Sequence, residues 1–156
     1  MQRTAIFPGS FDPFTRGHQA VVEEALRLFD RVVIAIGHNT QKRGMLDIER
    51  RKQLIERVYE GDDRVTVTTY TTLTGDEARR VGATAIVRSV RNGADFDYER
   101  TMDHANRAIF PELRTVIVIA PADVEHISSS LVRELHAFNH PVEQFLPEGI
   151  RLEEYL

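Results

Sequence analysis

The sequence has no cysteine, which excludes disulfides, zinc-thiolate sites and thiol nucleophiles. It also has no excess of positive charge, since 20 Lys and Arg residues stand against 24 Asp and Glu residues and the formal net charge is -4. Nucleic-acid footprints are usually strongly basic, so we expect no nucleic-acid partner and expect any bound phosphate to be met by local groups. No apolar run approaches the roughly 18 residues of a membrane span, and Met1-Gln2-Arg3 leads directly into a strand pattern without a signal-like region. The sequence therefore predicts a cytoplasmic protein with no membrane partner.

Strand-like and helix-like segments alternate along the chain. Its 156 residues, 42% of them hydrophobic, suit one domain spanning residues 1–156 with one core. Apolar runs predict five strands, at residues 4–7, 32–36, 65–67, 84–87 and 115–119. Five helices are predicted from apolar stripes and end signals. Asp47 and Ser128 cap the second and fifth, and Thr74 with Glu77 forms a capping box for a third that stops at Gly82. The fourth helix starts at Asp95 and stops at Pro111.

This alternation predicts the fold class. Parallel neighbours need right-handed helical crossovers, so we expect an α/β fold: a doubly wound, Rossmann-like five-stranded parallel sheet with the order 3-2-1-4-5. Ligands of such sheets lie beyond the carboxyl ends of the strands, where the strand order reverses. The predicted crevice therefore lies between strands 1 and 4.

The turn after strand 1 has the composition of a phosphate-binding turn. Residues 7–18 read Phe-Pro-Gly-Ser-Phe-Asp-Pro-Phe-Thr-Arg-Gly-His. Gly9 and Gly17 permit close backbone approach, and the free N–H groups at the start of the following helix attract anions. His18 adds a side-chain donor on the first helical turn. Further polar clusters, at residues 88–93 and 127–130, follow strands 4 and 5 at the same edge.

Taken in order, these motifs resemble the bacterial phosphopantetheine adenylyltransferases over nearly the whole chain. The matching motifs are Gly9-Ser10-Phe11-Asp12-Pro13, Thr15-x-Gly17-His18, the loop Gln41-Lys42-Arg43-Gly44 after strand 2, Arg88-x-x-Arg91 followed by Asp95-Phe96-Asp97-Tyr98-Glu99, and Ile127-Ser128-Ser129-Ser130. The resemblance implies transfer of an adenylyl group from ATP to 4'-phosphopantetheine, giving dephospho-coenzyme A and pyrophosphate, with Mg²⁺. It also implies a homohexamer and feedback inhibition by coenzyme A.

The same resemblance implies the residue roles. His18 donates to the phosphates as the transition state forms. The acceptor contacts Ser10, Lys42, Thr74 and Arg88. ATP contacts Ser10, Phe11, His18, Ser89, Val90, Arg91, Glu99, Val124, Ile127, Ser128, Ser129 and Ser130. Because the attacking phosphate oxygen is already anionic, the reaction needs positioning and charge stabilisation rather than a general base or covalent nucleophile. We expect Mg²⁺ to be held through the ATP phosphates and not by protein ligands.

Three positions depart from the family pattern. Ser89 stands where the family usually has glycine, and Val124-Glu125-His126 lacks the aromatic residue usual near the adenine. Gly44 replaces a common proline, which predicts a looser Lys42 loop.

The functional residues also have plainer interpretations. His18 would then only bond a loop carbonyl, Lys42 would be a solvated surface charge, and the arginines would form ion pairs with Asp95 or Glu99. The serines would be ordinary helix caps.

Rival functions remain open from the residues. A nicotinamide mononucleotide adenylyltransferase or a cytidylyltransferase would share the first turn, although the pattern at residues 88–99 disfavours both. An aminoacyl-tRNA synthetase fragment would share the His18 motif, but this chain has no Lys-Met-Ser-Lys-Ser loop. A noncatalytic nucleotide sensor with a flavodoxin-like fold would keep the phosphate turns but would not need an acceptor-side lysine.

Overall fold

All five strands pair in one parallel sheet. The computed structural model describes residues 1–156 and has the strand order β3-β2-β1-β4-β5, which confirms the predicted topology. The strands are β1 Thr4–Gly9, β2 Arg31–Gly37, β3 Val65–Tyr70, β4 Ala85–Val90 and β5 Arg114–Ile119. The helices are α1 Arg16–Leu28, α2 Ile48–Val58, α3 Thr74–Val81, α4 Gly93–Ile109 and α5 Ser129–Ala137, followed by short 3-10 turns at Glu143–Phe145 and Leu152–Glu154. None of these helices combines the length and apolar character needed to cross a membrane.

The core lies on both faces of the sheet because successive side chains of a strand point to opposite faces. Ala5 and Phe7 of β1 belong to the larger cluster, which includes buried residues of α1, α2 and α5. Ile6, between them, belongs to a smaller cluster that includes Ala78 of α3 and Phe110. The central strands are therefore covered on both sides, as their continuous apolar runs predict.

The crevice opens where the strand order reverses. β1 pairs with β2 over six positions, from Thr4 to Gly9, but pairs with β4 only at Ala5 and Ile6. The carboxyl halves of β1 and β4 are therefore separated, which is where ligands of doubly wound sheets lie. The Arg88 guanidinium spans this gap, with Nη1 donating to the Pro8 carbonyl at 3.2 Å.

Helix boundaries agree with the sequence at some ends and not at others. Asp47 and Ser128 cap α2 and α5 through their side chains, and Gly82 ends α3 with a φ of 73°, as predicted. The prediction of a capping box formed by Thr74 and Glu77 was wrong. Thr74 is the first residue of the helix, not the preceding cap, so its hydroxyl is free to pair with the Tyr70 hydroxyl at 2.8 Å.

The junction between β4 and α4 also differs from the prediction. β4 continues through Arg88 and Ser89 to Val90, so these residues lie in the strand and not in a loop after it. α4 begins at Gly93 and not at Asp95, because the Asn92 side chain accepts from the Asp95 N–H at 2.9 Å and caps the helix. Polar residues at the exposed end of a buried strand conceal its length in the sequence.

Candidate functional site

Two cavities open near the carboxyl edge of β1. The His18 cavity has a volume of about 410 Å³ and includes residues from α1, β4, α4 and the start of α5. The Lys42 cavity has a volume of about 900 Å³ and includes Ser10, the segment between β2 and α2, and part of α2. Ser10 and Asp12 of the turn after β1 line the Lys42 cavity, and Gly17 and His18, at the end of the same segment, line the His18 cavity.

Most of the predicted site residues line one of these cavities. The His18 cavity brings together His18, Arg88, Ser89, Arg91, Glu99, Val124, Ile127, Ser128 and Ser129. The Lys42 cavity contains Ser10 and Lys42. Arg88, predicted on the acceptor side, therefore lies with the predicted ATP residues. Phe11, Thr74, Val90 and Ser130 line neither cavity.

His18 has a fixed ring orientation. Thr15 caps α1, and its backbone N–H donates to His18 Nδ1 at 3.0 Å while its hydroxyl accepts from the His18 N–H, forming a capping box that the sequence analysis missed. Since a backbone N–H can only donate, Nδ1 must be the accepting nitrogen. The proton of the neutral imidazole therefore lies on Nε2. The ring can offer that N–H to a ligand in the His18 cavity, which it lines.

The aromatic surroundings keep this imidazole neutral. The rings of Phe11 and Phe14 have centroids 5.0 and 5.4 Å from that of His18, and Phe7 lies at 6.3 Å. Removal from water disfavours the charged form, so burial lowers the pKa of His18 from 6.5 to about 4. His18 is thus a neutral donor at neutral pH.

Two glycines shape the turn by admitting protein groups at close range. A Cβ at Gly9 would lie 2.9 Å from the Phe11 ring, and Phe11 itself has a left-handed φ of 48°. A Cβ at Gly17 would lie 3.0 Å from the Ile127 carbonyl, so Gly17 brings the start of α1 against the segment before α5. Both glycines therefore make room for neighbouring protein atoms.

Both arginines of the predicted motif are paired with carboxylates. Arg88 Nε lies 3.0 Å from both oxygens of Glu99, and its Nη2 lies 2.9 Å from Oε1. Glu99 is the only buried residue of α4, so this pair is partly removed from solvent. Arg91 lies 3.4 Å from Asp95 in a more exposed pair. Glu99 is therefore placed to orient the Arg88 guanidinium beside the His18 cavity.

The three serines have three different partners. Ser128 Oγ caps α5 by accepting from the Leu131 N–H at 3.1 Å. Ser129 Oγ donates to the Pro13 carbonyl at 2.8 Å, and Ser130 Oγ accepts from Arg133 at 3.1 Å. Ordinary capping therefore accounts for one of them. Ser129 instead links the start of α5 to the turn after β1.

Lys42 is exposed, and only its backbone N–H is bonded within the protein, to the Asn39 carbonyl at 3.1 Å. The segment around it is anchored at its far end, where Asp12 accepts from the N–H groups of Met45 and Leu46, each at 2.8 Å. Arg51 lies beside Asp12, with Nε 3.4 Å from Oδ1. Asp12 belongs to a motif of the sequence, but neither it nor Arg51 had a predicted role. The available signal was a carboxylate flanked by apolar residues, Phe11, Pro13 and Phe14.

No group of three or more His, Asp or Glu side chains is arranged to hold a metal ion. The carboxylates that line the His18 cavity are Asp95 and Glu99, and each is already paired with an arginine. The protein groups of this cavity are thus better suited to anionic oxygens than to a bare divalent cation.

Comparison with known proteins gives consistent matches. A family model described as cytidylyltransferase-like matches residues 6–135. A phosphopantetheine adenylyltransferase from Porphyromonas gingivalis is 49% identical over 149 residues, covering 96% of this chain and 97% of that protein. Another, from Cytophaga hutchinsonii, is 43% identical and covers 96% of this chain and 100% of that protein.

Among solved structures, a bifunctional NMN adenylyltransferase/ADP ribose pyrophosphatase from Francisella tularensis superposes with a TM-score of 0.72 at 22% identity. The match covers 96% of this chain and 46% of that protein, so this chain spans less than half of its length. At this identity the likeness shows the fold alone.

Proposed function

Since the chain belongs to the phosphopantetheine adenylyltransferase family of nucleotidyltransferases, we propose that it transfers the adenylyl group of ATP to 4'-phosphopantetheine, a step of coenzyme A biosynthesis. A phosphate oxygen of the acceptor attacks the α-phosphorus of ATP. The bond from that phosphorus to the oxygen bridging to the β-phosphate breaks, and its electron pair leaves with pyrophosphate. Dephospho-coenzyme A is the other product.

The observation that carries this proposal is the pair of cavities at the end of β1. One contains the neutral His18 donor, two arginines and the start of α5, and the other contains the unpaired Lys42. We assign ATP to the His18 cavity and the phosphate of the acceptor to the side of Lys42. Attack across the end of β1 would then meet the α-phosphate from the side opposite to the leaving pyrophosphate, as in-line displacement requires.

In this proposal His18 acts through its Nε2–H. The donor is pointed by the Thr15 capping bond and needs no reorientation when charge develops on the α-phosphate oxygens. Arg88 and Arg91 offset the negative charge that the two substrates bring together. No side chain needs to become covalently attached, because the acceptor oxygen is already a nucleophile.

Binding of the rest of ATP follows from the start of α5 and from apolar residues. The free N–H groups at the N-terminus of α5 suit the β- and γ-phosphates. Val124 and Ile127 are buried at the cavity wall and would pack against the adenine in place of the aromatic residue usual in the family. Because the carboxylates of the cavity are paired with arginines, Mg²⁺ would enter bound to ATP. It would neutralise part of the phosphate charge.

The homohexamer, inhibition by coenzyme A and location in the cytoplasm belong to the same proposal and rest on the family. An exposed apolar stripe on α4 supports association between copies of the chain.

The test is release of pyrophosphate from MgATP with 4'-phosphopantetheine, compared with nicotinamide mononucleotide as acceptor. We expect release only with 4'-phosphopantetheine, and a fall in kcat of roughly 100- to 1000-fold in His18→Ala, because one preorganised donor is lost. His140→Ala serves as a matched control, since His140 is exposed and lies outside both cavities.

Two results would overturn the proposal. Release with nicotinamide mononucleotide alone would assign a different acceptor. Binding of ATP by the folded protein without turnover would favour the noncatalytic sensor.

A further inference from the structure

Asp12 joins the turn after β1 to the segment that carries Lys42. Its carboxylate is buried, with 6% of the residue exposed, and accepts the N–H of Met45 on one oxygen and the N–H of Leu46 on the other. These are the last residues before the cap of α2, and Leu46 is itself part of the core. The segment at residues 38–46, here called the Lys42 loop, is thus attached at its end to the turn that carries Ser10.

Arg51 completes this attachment from α2. Its Nη1 donates to the Ser10 carbonyl at 3.2 Å and its Nε donates to the Leu46 carbonyl at 2.9 Å, while the same Nε lies 3.4 Å from Asp12. The planar guanidinium therefore contacts the turn, the loop and the carboxylate together, which a lysine ammonium cannot reproduce. Arg133 of α5 holds the Asp12 carbonyl at 2.8 Å, so the backbone there is fixed as well.

Gly44 is fitted to this pair. A Cβ at Gly44 would lie 2.3 Å from Asp12 Oδ2 and 2.1 Å from Arg51 Nη2. The glycine that replaces the usual proline therefore has a packing role against the ion pair, besides any added freedom of the loop.

We propose that Asp12 and Arg51 are positioning residues, which set the place of Lys42 relative to Ser10 and so determine binding of the acceptor phosphate. The inference rests on the proposed function, because it takes the Lys42 side as the acceptor side. Neither residue lines the His18 cavity. Of the predicted ATP contacts, Ser10 and Phe11 lie next to Asp12, whereas most of the others line the His18 cavity. Loss of the pair therefore acts more on the acceptor than on ATP.

The test uses Asp12→Asn, which keeps the shape of the side chain but removes its charge and replaces one accepting oxygen with a donor. One buried N–H of the loop then lacks a partner. We expect the KM for 4'-phosphopantetheine to rise roughly 10-fold or more and the KM for ATP to change less than about 3-fold. Asp63→Asn is the control: it makes the same change of charge at an exposed carboxylate just before β3 that lines neither cavity.

Trypsin gives a second readout that does not depend on catalysis. Lys42 and Arg43 are exposed cleavage sites in the loop. We expect faster cleavage there in Asp12→Asn than in the wild type and in Asp63→Asn. Urea unfolding of each protein checks that all three are folded under the conditions of cleavage. Arg51→Gln provides the same comparison if Asp12→Asn does not fold.

The results of these experiments distinguish failure of the positioning role from failure of the proposed function. An equal rise of both KM values, or unchanged KM values with unchanged cleavage, would overturn the positioning role. A wild type that turns over no 4'-phosphopantetheine would overturn the proposed function, while cleavage of the variants would still show whether Asp12 holds the loop.

Discussion

At the scale of single residues, His18 combines a fixed tautomer with a lowered pKa. The Thr15 N–H fixes the accepting nitrogen, and the surrounding phenylalanine rings limit the contact of the imidazole with water. A donor that is neutral before the reaction costs less to bury than a cation. The same burial links the stability of the protein to pH.

We predict that His18 makes the fold less stable as the pH falls below its ordinary pKa of 6.5. The pKa is about 4 in the folded protein, so between these values the unfolded chain binds the proton more strongly. The stabilising contribution is complete above about pH 6.5 and is lost as the pH falls towards 4. His18→Gln is the comparison, because glutamine at this helix position also accepts the capping N–H but does not titrate.

Urea unfolding of both proteins from about pH 7.5 to about pH 4.5 measures the difference. We expect the wild type to lose more free energy of unfolding than His18→Gln over this range. A difference between the two proteins that stays constant with pH would contradict the lowered pKa. Carboxylates titrate in both proteins, so their contributions to the free energy of unfolding cancel in the comparison.

At the scale of elements, α3 packs through a glycine against the segment that follows α4. Gly75 is buried, and a Cβ there would lie 2.2 Å from the ring of Phe110, which is 2% exposed. The short helix and the segment after α4 therefore meet at a point with no spare volume.

Gly75→Ala is predicted to destabilise the protein by about 1–3 kcal/mol, although alanine is the better helix former, because the buried ring or the helix must shift. Gly93→Ala is the control, since nothing lies within 4 Å of a Cβ at Gly93 in the first turn of α4. We expect that variant to be neutral or more stable by up to about 1 kcal/mol. Urea midpoints at one protein concentration give both values, and equal shifts would refute the packing argument.

The elements also show which parts of the molecule the sequence could predict. Apolar runs such as residues 32–36 determine strands locally, and their alternation with helices indicates a doubly wound parallel sheet. The usual strand order of such sheets is the one observed. The carboxyl end of β4 could not be predicted, because Arg88 and Ser89 resemble loop residues until their pairing with β5 is known. The contacts of Asp12 with Met45 and of Arg51 with Ser10 join distant parts of the chain, so no local pattern indicates them.

At the scale of the whole molecule, α4 leaves an apolar stripe without a partner. Tyr98, Met102 and Ile109 are 60%, 40% and 57% exposed, and Ala105 lies between them on the same helix face. Their spacing of four, three and four residues is that of one continuous stripe on a helix. A stripe of this kind favours contact with another copy of the chain, in agreement with the proposed hexamer.

Ala105→Glu is predicted to dissociate the assembly, because a charge would be buried at the centre of the stripe without a partner. His104→Glu is the matched control: the residue is the neighbour of Ala105 and is also exposed, but its side chain points about 100° away around the helix. Sedimentation velocity at several protein concentrations measures the outcome. We expect the wild type and His104→Glu to sediment as the same oligomer and Ala105→Glu as a smaller species. A monomeric wild type, or an Ala105→Glu variant that keeps its full size, would show that the stripe is not the contact that assembles the molecule.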